Sequence, residues 1–149
     1  MSAARRCLLG IFCWLAAAGA AAQEEDLLRQ VIDVERAAIN YMLHCQGCHL
    51  PHGEGIAGAV PDLRSAMGKF LQVPGGREFL VQVPGSANAA LADGALADLL
   101  NWLLVTTSGD QLAAGWNPYT AGEVGRLRSS PLLKVAEIRA SLIARMALR

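Results

Sequence analysis

The sequence has no surplus of charge of either sign. Thirteen lysines and arginines face 13 aspartates and glutamates, and charged residues make up only 17% of the chain. Aromatics are scarcer still, at 5%. No basic patch with interleaved aromatics appears, which argues against nucleic acid as a partner. Cysteine is rare: Cys7, Cys13, Cys45 and Cys48 are the full set of four. The three histidines, His44, His49 and His52, all crowd one short stretch. A structural zinc site needs a second Cys or Cys/His pair with ligand spacing, and the only histidines other than His49, namely His44 and His52, crowd the same loop. No internal repeat shows. No apolar run reaches the roughly 18 residues of a membrane-spanning helix.

The N-terminus is what an export signal looks like. Arg5 and Arg6 form a short basic region, 7–18 is apolar, and Ala20-Ala21-Ala22 supplies a small-residue cleavage site. The pattern predicts a secretory signal peptide over 1–22, cleaved near Ala22. An uncleaved anchor is the competing reading, and the short apolar run disfavours it. Cys13 lacks a lipobox, since Gly10-Ile11-Phe12 precedes it. Cleavage removes Cys7 and Cys13, so no structural disulfide is expected. It also removes Arg5 and Arg6, leaving 11 basic against 13 acidic residues. The remaining 127 or so residues suit one small domain.

What is present is Cys45-Gln46-Gly47-Cys48-His49. C-x-x-C-H is the pattern for covalent attachment of a c-type haem. Two thiols three residues apart on a helix end can reach two vinyl groups on one porphyrin edge. The adjoining histidine then lies under the iron as proximal ligand. A redox dithiol or half a zinc site are the alternatives. A thioredoxin-like dithiol would follow a strand in a βαβ unit, whereas a helical pattern precedes this one. Export fits as well, because bacterial haem attachment takes place outside the inner membrane. One covalent haem c is therefore the expected cofactor, with the periplasm as location.

Elements follow from periodicity. Apolar residues from Leu27 to Leu43 recur near 3.6, predicting a helix over 24–44 with Glu24, Glu25 and Asp26 in its first turn. Glycines and Pro51 make 47–58 a loop, and Pro61-Asp62-Leu63 a second. A short helix is expected over 65–71; 77–83 reads as helix or strand, and helix is preferred because no second strand is evident. A strong helix is expected over 91–105, with Asp93 as its cap. Thr120-Ala121-Gly122-Glu123 reads as a capping box, and Pro131 as the start of a final helix. The fold class is all-α with long loops.

These residues resemble the small class I c-type cytochromes over roughly 30–106. Tyr41 stands four residues before Cys45, and Ala37 stands where the family often has glycine at a close helix crossing. Gly53-Glu54-Gly55 followed by Pro61-Asp62-Leu63 is the second match. The resemblance implies that the Pro61 carbonyl accepts from the His49 imidazole. The third match, 91–96 leading into Asn101-Trp102-Leu103-Leu104, resembles the family's C-terminal helix. Tyr41 and Trp102 are expected to lock the two helices by ordinary core packing. The implied domains are a signal over 1–22, a cytochrome c-like domain over 23–110 and a helical extension over 111–149.

One family feature is missing. The usual sixth ligand is a methionine before the final helix, yet 83–90 holds no methionine, histidine, lysine or cysteine. Met67 is the candidate replacement; the bland alternative is a plain core residue. Met42 is expected to pack, and His44 to point away. His52 would have to loop round the haem edge. An open site lined by Asn88 or Ser86 is the remaining option. A six-coordinate haem implies an electron carrier and no enzyme, passing electrons from a dehydrogenase-type donor to an oxidase or another cytochrome. An open iron implies binding of a small gas or a peroxide, although no acid–base pair is evident. Arg77-Glu78 reads as a solvated face. A third possibility is a dedicated cytochrome subunit of a periplasmic dehydrogenase. The apolar stripe from Leu132 to Met146 either packs back on the domain or docks a partner or membrane surface.

Overall fold

The computed structural model describes residues 33–148 apart from Ser65 and Ala114. The predicted signal peptide over 1–22 and the first part of the predicted 24–44 helix lie outside the described residues. From Val34 onward the chain forms one packed unit. The elements are helical: α1 (Val34–His44), α2 (Gln46–His49), α3 (Met67–Phe70), α4 (Gly76–Gln82), α5 (Pro84–Ala87), α6 (Asp93–Ser108), α7 (Ala121–Arg128) and α8 (Val135–Ala147). A single β-bridge among the described residues, Ile56 to Val60, closes the loop after α2. The architecture is all-α, as the pattern implied.

Helix α6 is the spine. Leu96, Leu99, Leu100, Leu103 and Leu104 are all buried, and their spacing is that of one apolar helix face. Each such leucine contributes ~1.5–3 kcal/mol on burial. Helix α1 lies against α6, burying Ala37 and Tyr41. The Tyr41 and Trp102 rings meet at 5.6 Å, tilted by 51°. Phe70 of α3 and Phe79 of α4 pair similarly, with centroids 4.9 Å apart. Helix α7 packs on the same spine. Asn101 is fully buried within it and brackets the Tyr119 backbone, accepting from its N–H at 2.7 Å and donating to its carbonyl at 3.0 Å. Two made hydrogen bonds remove the cost of burying that amide.

The C-terminal stripe packs back. Leu142 of α8 is fully buried, and Leu132, Val135, Ile138 and Met146 pack on the core. Arg145 donates to the Pro74 carbonyl at 2.8 Å. Leu133 and Ile143 stay exposed.

Several expectations need correction. Asp93 does not cap α6; Ala92 occupies that position and no side chain bonds there. The Asp93 carboxylate instead accepts from Arg128 at 3.2 Å. Thr120 does cap α7, accepting from the Glu123 N–H at 3.2 Å. Glu123 does not turn back to complete the box. It pairs with Arg77 at 2.6 Å. Arg77 is therefore no solvated face: its guanidinium also lies 4.0 Å from the Tyr119 ring centroid and donates to the carbonyls of Asn117 and Pro118. The final helix starts at Val135 rather than Pro131. Met42 does not pack, being 58% exposed.

Candidate functional site

The site begins with the end of α1. Cys45 takes up the chain where that helix stops, and the next turn, α2, carries Cys48 and His49. Leu50 then adopts φ 61°, the only described non-glycine residue with positive φ. That conformation is disfavoured for a leucine. The Tyr41 hydroxyl donates to the Leu50 carbonyl and holds it there.

The loop that follows folds back under His49. Gly55 N–H donates to the His49 carbonyl at 3.2 Å. Leu63 N–H donates to the Gly53 carbonyl at 2.8 Å, and Ile56 and Val60 exchange bonds of 2.9 and 2.8 Å. These bonds bring the Pro61 carbonyl to 3.1 Å from His49 Nδ1. Nδ1 then carries the proton as donor, which leaves the Nε2 lone pair available to a metal. Burial lowers the His49 pKa below the ordinary imidazole range, against the opposing pull of the Pro61 bond. The neutral ring is the ligating form. Burial, and then the neighbouring Cys48, push the Cys45 thiol upward.

Cys45, Cys48, His49 and Pro61 border one cavity of about 360 Å³. Its walls are otherwise largely apolar, with Leu63, Phe70, Phe79, Leu80, Leu96, Leu99, Leu100 and Leu103 among them. Met67, only 4% exposed, lines it as well. His44 is among the residues that border the same cavity. His52 does not; it borders a smaller cleft beside Tyr41 and Trp102.

The segment that replaces the family's methionine-bearing loop contributes Pro84, Gly85, Ser86 and Ala89 to the wall. Asn88 is exposed and is not part of the lining. The segment is pinned from behind. The Arg128 guanidinium donates to the carbonyls of Ala87, Ala89 and Leu91 as well as to Asp93. Sequence reasoning missed Arg128, whose partners lie 35 to 41 residues away.

Two thiols and a neutral imidazole bordering a largely apolar cavity fit a flat macrocycle with a central iron. Comparison with known proteins agrees. No family model matches the chain. It is 33% identical over 106 residues to a cytochrome c-552 of Thermus thermophilus, a stretch covering 59% of this chain and 81% of that protein. A second cytochrome c-552, from a named strain of the same organism, is likewise 33% identical over 106 residues, with 72% of it covered.

The chain belongs to the small monohaem class I c-type cytochromes. The fold of this cytochrome is accordingly the cytochrome c-like all-α fold, and haem is its cofactor. Such cytochromes are electron carriers rather than enzymes. Among its described residues no helix is long and apolar enough to cross a membrane.

Proposed function

We propose that this cytochrome binds a single haem c through thioethers at Cys45 and Cys48, with His49 as proximal ligand, and shuttles electrons in the periplasm. The observation that supports this most is the His49 ring. It stands beside both thiols at the cavity wall, with Nδ1 directed to the Pro61 carbonyl. Haem, when bound, supplies a one-electron Fe(III)/Fe(II) couple. The protein's part is to hold, orient and desolvate. Pro61 fixes the imidazole plane and raises its basicity. The leucines of α6 keep water out of the cavity, and a low dielectric disfavours the extra charge of the ferric form.

Met67 is the proposed sixth ligand. Its thioether is buried in the same cavity and belongs to the short helix α3. Cys48 is exposed, so the macrocycle edge attached there would face the surface. Exposed Met42, Leu43, Leu50 and Ile56 are near it in sequence. They would make an apolar contact area for a dehydrogenase-type donor and an oxidase or cytochrome acceptor. The proposed organisation is a signal over 1–22, a cytochrome domain over 23–110 and a helical extension over 111–149.

A second reading has one observation in its favour. The wall built by Pro84, Gly85, Ser86 and Ala89 offers no sulfur or imidazole. Without Met67 on the iron, the haem would be open to a small gas or peroxide. Absorption spectra of the purified protein test both readings. Pigment that stays with the protein in acidified acetone supports thioether attachment; pigment that extracts refutes it. A weak far-red band in the ferric form, lost in Met67→Ala, supports sulfur ligation. Rapid carbon monoxide binding to the ferrous wild type would favour the open site instead.

A further inference from the structure

We propose that Arg139, on the C-terminal helix α8, binds a carboxylate of the cavity's occupant, which is a haem propionate if the cofactor reading above holds. Arg139 is the only arginine or lysine among the described residues lining the cavity. It is half-buried, and no described residue supplies it with a carboxylate or carbonyl. That sets it apart from the other partly buried arginines. Arg77 has Glu123, two carbonyls and the Tyr119 ring. Arg128 has Asp93 and three carbonyls.

Asp62, the one acidic residue among the described residues lining the same cavity, is already engaged. Arg64 grips both of its oxygens, at 3.1 and 2.8 Å. A partly buried guanidinium at the border of a mostly apolar cavity, without a counter-ion, is costly. Its planar fork is shaped for a carboxylate, so a carboxylate entering with the cofactor would complete it. Helix geometry supports the placement. Val135 and Arg139 are four residues apart and share a helix face, and both line the cavity. Leu142, fully buried, fastens the helix that presents them. Helix α8 is then part of the cofactor site.

The test uses the full-length holoprotein as wild type, Arg139→Gln, Arg139→Lys and Arg126→Gln. Arg126 lies outside the cavity lining. Two readouts are needed: the propionate bending band in the resonance Raman spectrum, and the midpoint potential. Arg139→Gln is expected to shift the band and to lower the potential, because the lost cation leaves the propionate charge unneutralised and so favours the ferric form. Arg139→Lys should shift the band, since the fork is lost, yet keep the potential near wild type. Arg126→Gln should move neither. An unshifted band in Arg139→Gln would overturn the proposal, whatever the potential does. Protein purified without haem would instead refute the underlying reading of the cavity, and the proposal with it.

Discussion

Gly55 offers the sharpest test of how the loop serves the site. It has φ +70°, and a Cβ placed there would collide with the carbonyl oxygens of Val60 and Pro61. Alanine in the left-handed region costs ~1–2 kcal/mol by itself. The collision is with backbone, so no side-chain rotation relieves it. The loop must shift, and the 3.1 Å contact between Pro61 and His49 is the bond in its path. Losing that bond costs ~0.5–1.5 kcal/mol more. Gly55→Ala should therefore lower stability by about 1.5–3.5 kcal/mol, a large share of the ~5–15 kcal/mol of an ordinary domain. The same displacement weakens the imidazole as a donor to iron, so the midpoint potential should rise. Gly58→Ala is the control. Its φ is +75°, with nothing within 4 Å of the added carbon. It should show the ~1–2 kcal/mol conformational cost alone and an unaltered potential. Denaturant unfolding and redox titration of the three holoproteins give the comparison. Equal potentials in Gly55→Ala and wild type would show that the loop does not position Pro61 for His49.

Leu142→Ala should cost ~2–5 kcal/mol as a cavity in a packed interface; a change under ~0.5 kcal/mol in denaturant unfolding would mean α8 is not part of the cooperative unit. The bond from Arg77 holds the Glu123 carboxyl below the usual carboxylate range, against the burial that raises it. That contribution to stability is complete above the ordinary carboxylate pKa and lost as pH falls through the depressed folded value. Stability should thus decline on acidification, and Glu123→Gln should flatten that limb of a pH series; an unchanged slope would show that the pair does not drive it.

Local chemistry was legible in the chain. The helical face of 91–105 needed only its leucine spacing, and the Thr120 cap needed only a hydroxyl three residues ahead of an open N–H. The partners of Arg77, Arg128 and Asn101 were not legible. Their contacts span 18 to 46 residues, and no periodicity encodes which carbonyl a guanidinium will meet. Asp93 shows the failure in one residue. It has the right chemistry for a cap and stands beside the right position, yet Arg128 of a later helix takes its carboxylate. Asn101 left a faint signal, as a polar residue inside an apolar helix face.

By itself the amino-acid order determined that two thiols and an imidazole lie within five consecutive residues, because a chain that short cannot carry them far apart. It also determined that the methionine usual to the family is missing from 83–90. Only the packed chain decided that Met67, Ser86 and Arg139 line the same space as His49, and that Pro61 stands 3.1 Å from the ring. Those meetings depend on how separate helices pack and where a loop closes, which the summed burial of the whole core selects.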